Sequence, residues 1–205
     1  PLRLVGSEMC IRDSHYEDIL GTYLVKLSAL KISENDSSEA AMLLKALSDF
    51  ERIGDHALNI LESAEELKGK NLSLSDAARY ELNVLLRAVE EIVDMTFRAF
   101  RDDDLEKAYR VEPLEQVIDD LKEKMRIHHI LRMQQGSCSI ESGFVWSDLL
   151  TALERVGDHC SNIAVAMIEL ESDSFDTHEY LKSLREMKTQ KYMQYAEEYG
   201  KKFAL

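Results

Sequence analysis

Proline, glycine and cysteine are all scarce in this sequence. Its 205 residues include two prolines, eight glycines and three cysteines. So few chain-breaking residues, together with abundant Leu, Ala, Glu and Lys, favour helices over a turn-rich fold. Cys10, Cys138 and Cys160 form no Cys-x-x-Cys pair and no even set, which argues against a zinc finger and against the disulfide framework of a small secreted domain. A reducing compartment is therefore expected.

Long apolar runs and an excess of basic residues are also missing. No stretch approaches the roughly 18–20 consecutive apolar residues of a membrane-spanning helix, and no signal peptide is recognisable. Acidic residues outnumber basic residues by 39 to 25, which gives a formal net charge of −14. Because nucleic-acid backbones are bound by clustered Lys and Arg, this balance argues against nucleic acid as a partner. It favours divalent cations or a basic protein surface instead.

Apolar residues recur every three or four positions from His15 onward, and this pattern predicts six helices and no strand. The chain is long enough to bury a substantial core. We expect an all-α architecture of two antiparallel three-helix bundles related by a pseudo-twofold axis. The predicted helices lie at about residues 15–32, from Leu43 to a stop signal at Lys68–Lys70, from a cap at Ser73 or Ser75 to Arg101, from a cap at Asp103 or Asp104 to Gly136, from Trp146 to Asp173, and from Thr177 to Tyr199.

The first fourteen residues lack the helical periodicity that begins at His15. Within them, the segment Val5–Ser14 resembles a translated sequencing adaptor joined to a truncated reading frame. Residues 1–14 are therefore predicted to be a non-native or disordered leader, and the native start is expected upstream.

Two segments, Glu51–Ile60 and Glu154–Ile163, share the pattern Glu-Arg-x-Gly-Asp-His-x-x-Asn-Ile. Their constant offset indicates a tandem duplication, with a first repeat at residues 15–102 and a second at residues 103–205. The repeated residues are mostly polar. A duplicated hydrophobic core does not by itself require repeated Glu, Arg, Asp, His and Asn, so we look for the functional site here.

The spacing of the motif places acidic side chains one above the other on a helix. Glu51 and Asp55 are four residues apart and share one face, which Asn59 continues. Like charges at this spacing repel each other unless something neutralises them. The same arrangement recurs in the second repeat at Glu154, Asp158 and Asn162, and the preceding helix adds Glu115 and Asp119.

Two kinds of group could neutralise the charge of these carboxylates, and the spacing alone favours neither. A parallel basic row at Arg52, His56, Arg155 and His159 would make the motif a structural ion-pair network. A metal ion is the alternative, because carboxylates and amide oxygens are hard ligands suited to such cations. A di-metal carboxylate enzyme would usually carry Glu-x-x-His pairs and an open metal position. None is evident, so we assign no catalytic residue and expect no enzyme.

The doubled motif, set in two three-helix units, resembles the PhoU family of phosphate-transport regulators. More narrowly, Ser142–Leu150 leading into Glu154–Ile163, followed by Phe175–Leu181, resembles the cytoplasmic C-terminal region of bacterial sodium/phosphate cotransporters. The resemblance implies metal binding through Glu-x-x-x-Asp motifs, here Glu51/Asp55 and Glu154/Asp158. It leaves open whether the metal is iron, zinc, manganese or magnesium.

The resemblance also implies a function and a partner. We expect a regulatory domain that controls phosphate transport at the cytoplasmic face of the inner membrane. Its partner would be a membrane phosphate transporter, expected as the missing N-terminal part of the same polypeptide. The alternative is a stand-alone PhoU-type regulator that works with an ABC phosphate importer and its sensor kinase. A homodimer is left open.

Overall fold

Six helices make up the secondary structure of the residues that the structure describes. The computed structural model describes the backbone of residues 2–173 and 178–205, and the side chains of residues 14–171 and 189–205. No strand occurs in those backbone ranges, and the predicted all-helical, six-helix fold is confirmed. The helices are α1 (Leu2–Ser28), α2 (Glu34–Gly69), α3 (Asp76–Asp102), α4 (Leu105–Gln134), α5 (Ile140–Asp173) and α6 (His178–Lys202).

Side-chain caps set the starts of α3 and α4. Ser75 caps α3 by accepting a hydrogen bond from the Ala78 amide, and Asp104 caps α4 in the same way. Both caps are among the positions that the sequence predicts. Asp103 takes the left-handed conformation between these helices, with a φ of 51°. The predicted boundary between the repeats therefore coincides with a tight turn.

The start of α2 differs from the prediction. Ser33 and Asp36 form a reciprocal capping box, in which each side chain accepts a hydrogen bond from the other residue's backbone amide. The helix therefore begins at Glu34, well before the predicted Leu43. The polar segment that predicted a break contains the residue types that cap helices.

The first helix is longer than the sequence predicts, and its apolar face is more exposed to solvent than expected. The structure continues α1 back to Leu2, so residues 2–14 are helical rather than disordered; their non-native origin stays a prediction. The apolar stripe of this helix was expected to face a core. Most of it is exposed, including Tyr16, Ile19 and Tyr23, because α2 is the helix against which α1 packs within the described residues.

The core joins the two repeats. Helix α3 packs against α4 and α5, α2 packs against α5, and α6 packs against α4. The largest fully buried side chains include Trp146, Leu85, Ile92, Leu114 and Tyr199. Because α4 and α5 lie side by side at the centre, any polar residue on their shared face is partly removed from water. Among the described residues, no helix is long and apolar enough to cross a bilayer.

Candidate metal centre

Three carboxylates from α4 and α5 meet on their shared face. Glu115 and Asp119 lie one turn apart on α4, and Asp158 faces them from α5. One carboxylate oxygen of each lies within 4.8 Å of the others, and all three residues are half-buried. The two helices therefore place hard oxygen donors at a spacing that one metal ion can bridge.

Glu154 extends this cluster on α5, one turn before Asp158. Its Oε1 lies 2.5 Å from Nζ of Lys122, and its side chain is only 13% exposed. Within the described residues its second oxygen, Oε2, is buried and accepts no hydrogen bond, although Nε of Arg155 lies 3.9 Å away, and Oδ1 of Asp119 accepts none either. Buried carboxylate oxygens without donors are costly. A bound cation would satisfy both atoms, so the residues present fit a metal ion.

The electrostatics of the cluster are unfavourable without such a cation. Burial, assisted by the charges of Asp119, Glu112 and Asp158, raises the pKa of Glu115 from 4.5 to about 7. Burial and the charges of Glu154 and Asp158 raise the pKa of Asp119 as well. Both shifts mean that the folded protein resists full ionisation of the cluster.

Protein cations neutralise part of this charge. Nη1 of Arg155 lies 2.8 Å from Oδ2 of Asp158, and Lys122 holds Glu154. The ion-pair explanation of the motif is therefore partly correct. Two basic side chains face five carboxylates, however, because Glu112 lines the same groove as Glu115 and Asp158. An excess of negative charge is left for a metal ion.

The predicted ligand Asn162 lies outside the carboxylate triad. Its amide nitrogen donates to Oδ1 of Asp49 over 3.2 Å, and Nδ1 of His159 lies 2.8 Å from the same oxygen. Asp49 comes from α2, so this cluster connects the two repeats. Asn162 also lines the groove of about 350 Å³ beside Glu115 and Asp158.

The first repeat assembles no comparable cluster among the side chains that the structure describes. Glu51 accepts a hydrogen bond from Ser14 over 3.3 Å, and the exposed Asn59 lies 3.4 Å from Nδ1 of His56. Asp55 is half-buried on the same helix. Among the described residues, Glu51, Asp55 and Asn59 form no carboxylate cluster like that of the second repeat, and their role as metal ligands stays a prediction.

The reason for this asymmetry lies in the preceding helix. In the second repeat, Glu115 and Asp119 are four residues apart, so both face α5. In the first repeat the nearest acids on α1 are the adjacent Glu17 and Asp18, which point about 100° apart. Only one of them can face α2, and Glu17 lines a largely apolar groove together with Glu51 and Asp94.

The comparisons with known proteins identify the family. The sequence model of the PhoU domain matches residues 11–64 and 82–167, which include both copies of the motif. The chain belongs to the PhoU family. A phosphate-specific transport system accessory protein, PhoU homolog 1 of Thermotoga maritima, is 33% identical over 135 residues, covering 63% of this chain and 55% of that protein. A PhoU homolog of Deinococcus radiodurans is 27% identical over 126 residues, covering 60% and 57%.

A solved structure supports the fold. The crystal structure of PhoU from Pseudomonas aeruginosa superimposes with a TM-score of 0.78 at 23% identity, covering 84% of this chain and 82% of that chain. This likeness shows the PhoU fold. The chain spans little more than half the length of the curated relatives that it matches.

Sequence reasoning missed two residues of this PhoU chain's polar clusters. Lys122 follows Asp119 by three residues, and helical spacing places it on the same face as Glu115 and Asp119. Asp49 precedes the first motif by two residues and binds the histidine of the second. The spacing on α4 could have revealed Lys122. Nothing in the sequence indicates that Asp49 meets His159, because that contact depends on how α2 packs against α5.

Proposed function

We propose that this PhoU-family protein is an accessory regulator of phosphate transport that holds a metal ion between α4 and α5. The single observation that carries the metal centre is the convergence of Glu115, Asp119 and Asp158 within 4.8 Å. Glu154 is the fourth ligand. The bound ion would supply positive charge that neutralises the cluster and fixes α4 against α5. Its identity among iron, zinc, manganese and magnesium is left to experiment, and we assign no catalytic residue.

The function follows from the family and its named members. The relatives from Thermotoga maritima and Deinococcus radiodurans are named as accessory proteins of a phosphate-specific transport system. Their names favour the stand-alone regulator over a regulatory domain fused to a sodium/phosphate cotransporter. We therefore propose a phosphate transporter as a separate partner, met at the cytoplasmic face of the inner membrane.

The metal centre is tested with matched double variants of the two motif copies. Glu154→Gln with Asp158→Asn alters the assembled cluster, whereas Glu51→Gln with Asp55→Asn makes the same changes where no cluster forms. Purified protein is stripped with a chelator and titrated with Mn²⁺, Zn²⁺, Fe²⁺ and Mg²⁺ by calorimetry. We expect at least one equivalent of metal on the parent protein and on the first-repeat variant, and loss of that metal from the second-repeat variant.

Two results would contradict the metal centre. One is a parent protein that binds none of the four ions. The other is equal loss of metal from both double variants, since the motif would then act elsewhere than between α4 and α5. Circular dichroism shows whether each variant stays helical, so that loss of metal is not confused with loss of fold.

The transport function is tested in the source organism. We expect deletion of the gene to change the rate of uptake of radioactive phosphate, and the parent gene to restore it. The DNA upstream of the His15 codon distinguishes a separate transporter from a fused one. If it encodes, in frame, several apolar segments of about 20 residues, the chain is part of a fused cotransporter. Unchanged phosphate uptake in the deletion strain, under both phosphate-rich and phosphate-poor growth, would contradict the function.

A further inference from the structure

The face of α4 that carries the acidic cluster becomes basic further along the helix. Lys122, Arg126 and His129 follow at spacings of four and three residues, so they share that face. Opposite them, α5 contributes Trp146, Ser147 and Thr151 to a cleft of about 420 Å³. No Asp or Glu lines this cleft. In a chain with a formal charge of −14, it is a local concentration of positive charge.

Two buried ring nitrogens in the wall of this cleft have no hydrogen-bond partner. His129 is 7% exposed and Trp146 is 2% exposed, and their rings stack with centroids 5.9 Å apart. Neither Nε2 of His129 nor Nε1 of Trp146 is paired. Buried polar groups of native proteins are nearly always satisfied. Among the described residues these two nitrogens are unsatisfied, and a hydrogen-bonding ligand in the cleft would satisfy them.

An arginine–glutamate ion pair lies behind the tryptophan. The guanidinium of Arg132 lies 5.7 Å from the Trp146 ring centre. Its Nη1 donates to both oxygens of Glu81, over 3.0 and 2.9 Å, while its Nε and Nη2 are buried and unpaired. The contact with Glu81 fixes this wall of the cleft, so little ordering is needed when a ligand binds.

We propose that the cleft between α4 and α5 binds a small phosphate-type oxyanion. Its polar lining consists of an ammonium, a guanidinium, an imidazole, an indole N–H and the Ser147 hydroxyl, all of which can donate hydrogen bonds, and of the Thr151 hydroxyl, which donates to the Ser147 carbonyl over 2.9 Å. Its lining contains no carboxylate, so it offers no anionic ligand to a hard cation such as Mg²⁺. Charge-assisted hydrogen bonds from Lys and Arg are the usual means of holding a phosphoryl group. The shared chemistry covers both inorganic phosphate and the phosphoryl group of an ester.

The site is separate from the metal centre, although the two adjoin. Lys122 stands at the border, where it reaches Glu154 on the acidic side and lines the cleft on the basic side. The other basic residue at the rim, Arg126, is exposed, and its carboxylate contact is Glu123 at 3.6 Å. Arg126 therefore has donors free for an anion, and it is the residue to change.

Binding in the cleft can be followed by intrinsic fluorescence, because Trp146 is the only tryptophan of the chain. Chelator-treated protein is titrated with inorganic phosphate at constant ionic strength, with chloride as the balancing anion, while Trp146 emission is recorded. We expect a saturable change in emission. Arg126→Gln should weaken the apparent affinity by about tenfold or more, the size expected for one charge-assisted contact. Arg87→Gln, which removes the same charge from an exposed position on α3, should leave the affinity within about twofold.

A neutral substitution separates binding from general charge effects. A Cβ at Gly143 would lie 3.0 Å from Nε2 of His129 and 3.3 Å from Sδ of Met133, so Gly143→Ala pushes the imidazole aside without changing charge. We expect at least a threefold loss of affinity, with helicity preserved by circular dichroism. Affinity equal to that of the parent protein would overturn the placement of the anion beside His129.

Glycerol 3-phosphate, titrated in parallel, distinguishes the two sources of the ligand. Tighter binding of inorganic phosphate assigns the cleft to the free ion, and tighter binding of the ester assigns it to a phosphorylated compound. Emission that changes only linearly with both ligands, or equally in Arg126→Gln and Arg87→Gln, overturns the proposal. Because no metal is present in this experiment, its failure would leave the proposed metal centre and transport function standing.

Discussion

Replacing Glu115 with glutamine removes one carboxylate from the crowded cluster between α4 and α5. The folded protein raises the pKa of Glu115 from 4.5 to about 7, so between these values the folded state binds more protons than the unfolded state. Stability contributed by this group is therefore fully present below pH 4.5 and is lost as the pH rises through 7. Glutamine has no proton to lose. The variant should keep the stability that the parent protein loses.

The size of the effect follows from the shift. Each pKa unit corresponds to about 1.4 kcal/mol, which sets an upper limit of roughly 3.4 kcal/mol for a shift to about 7. Glu115 is only half-buried, and solvent screening reduces that limit by about half. In the presence of a chelator at pH 8, we expect Glu115→Gln to raise the free energy of unfolding by about 1–2 kcal/mol.

Urea unfolding followed by circular dichroism measures this difference. Parent and variant are compared at pH 5 and pH 8 in excess chelator, and the gain should be much larger at pH 8. Glu123→Gln is the matched control, because Glu123 is exposed on the same helix and should change stability by less than about 0.5 kcal/mol. Equal stability of Glu115→Gln and the parent protein at pH 8 would refute the reasoning. Lys122 and Arg155 would then already neutralise the cluster.

Three further perturbations test other parts of the structure. Glu81→Gln should destabilise the protein by about 2–4 kcal/mol in urea unfolding, because it leaves the buried Arg132 without its carboxylate; a loss below 1 kcal/mol would contradict this. Burial and the charge of His159 lower the pKa of His56, so the unfolded state takes up more protons as the pH falls below 6.5, and stability decreases there. His56→Gln should reduce this loss between pH 7.5 and 5.5, and an unchanged pH profile would argue against it. Ser33→Ala should cost about 1 kcal/mol through loss of the capping box, and it should leave metal binding unchanged; a variant as stable as the parent would contradict the cap.

Local signals in the sequence predicted the helices well. Ser75 and Asp104 are recognisable because the cap depends on a side chain and a backbone amide three residues away. The same chemistry made Ser33–Ser38 ambiguous, since serine and aspartate occur both in loops and at helix starts. The exposed stripe of α1 was not predictable, because an apolar periodicity shows that a face is apolar and does not show what covers it.

The site was predictable in one repeat and not in the other. The spacing of Glu115 with Asp119, and of Glu154 with Asp158, predicts four carboxylates on one face of the α4–α5 pair, and the structure brings Glu115, Asp119 and Asp158 within 4.8 Å of one another. Glu51 and Asp55 have the same spacing, yet their environment depends on α1, where the acids are adjacent rather than one turn apart. The contact of Asp49 with His159 depends on tertiary packing alone. Motif identity thus predicted the residue types, and the neighbouring helix decided which copy assembles a cluster.

The ion pair of Lys122 with Glu154 also fixes how far α4 can slide along α5. A slip of one helical turn, about 5.4 Å, would separate these two side chains and leave Glu154 with only the more distant guanidinium of Arg155, whose Nε lies 3.9 Å from Oε2, which weakens the fold because the carboxylate is largely buried. The same slip would carry Asp158 away from Glu115 and Trp146 away from His129. The ion pair therefore fixes the register of α4 against α5. This register keeps the acidic and basic halves of the shared face of α4 opposite the α5 residues that they contact.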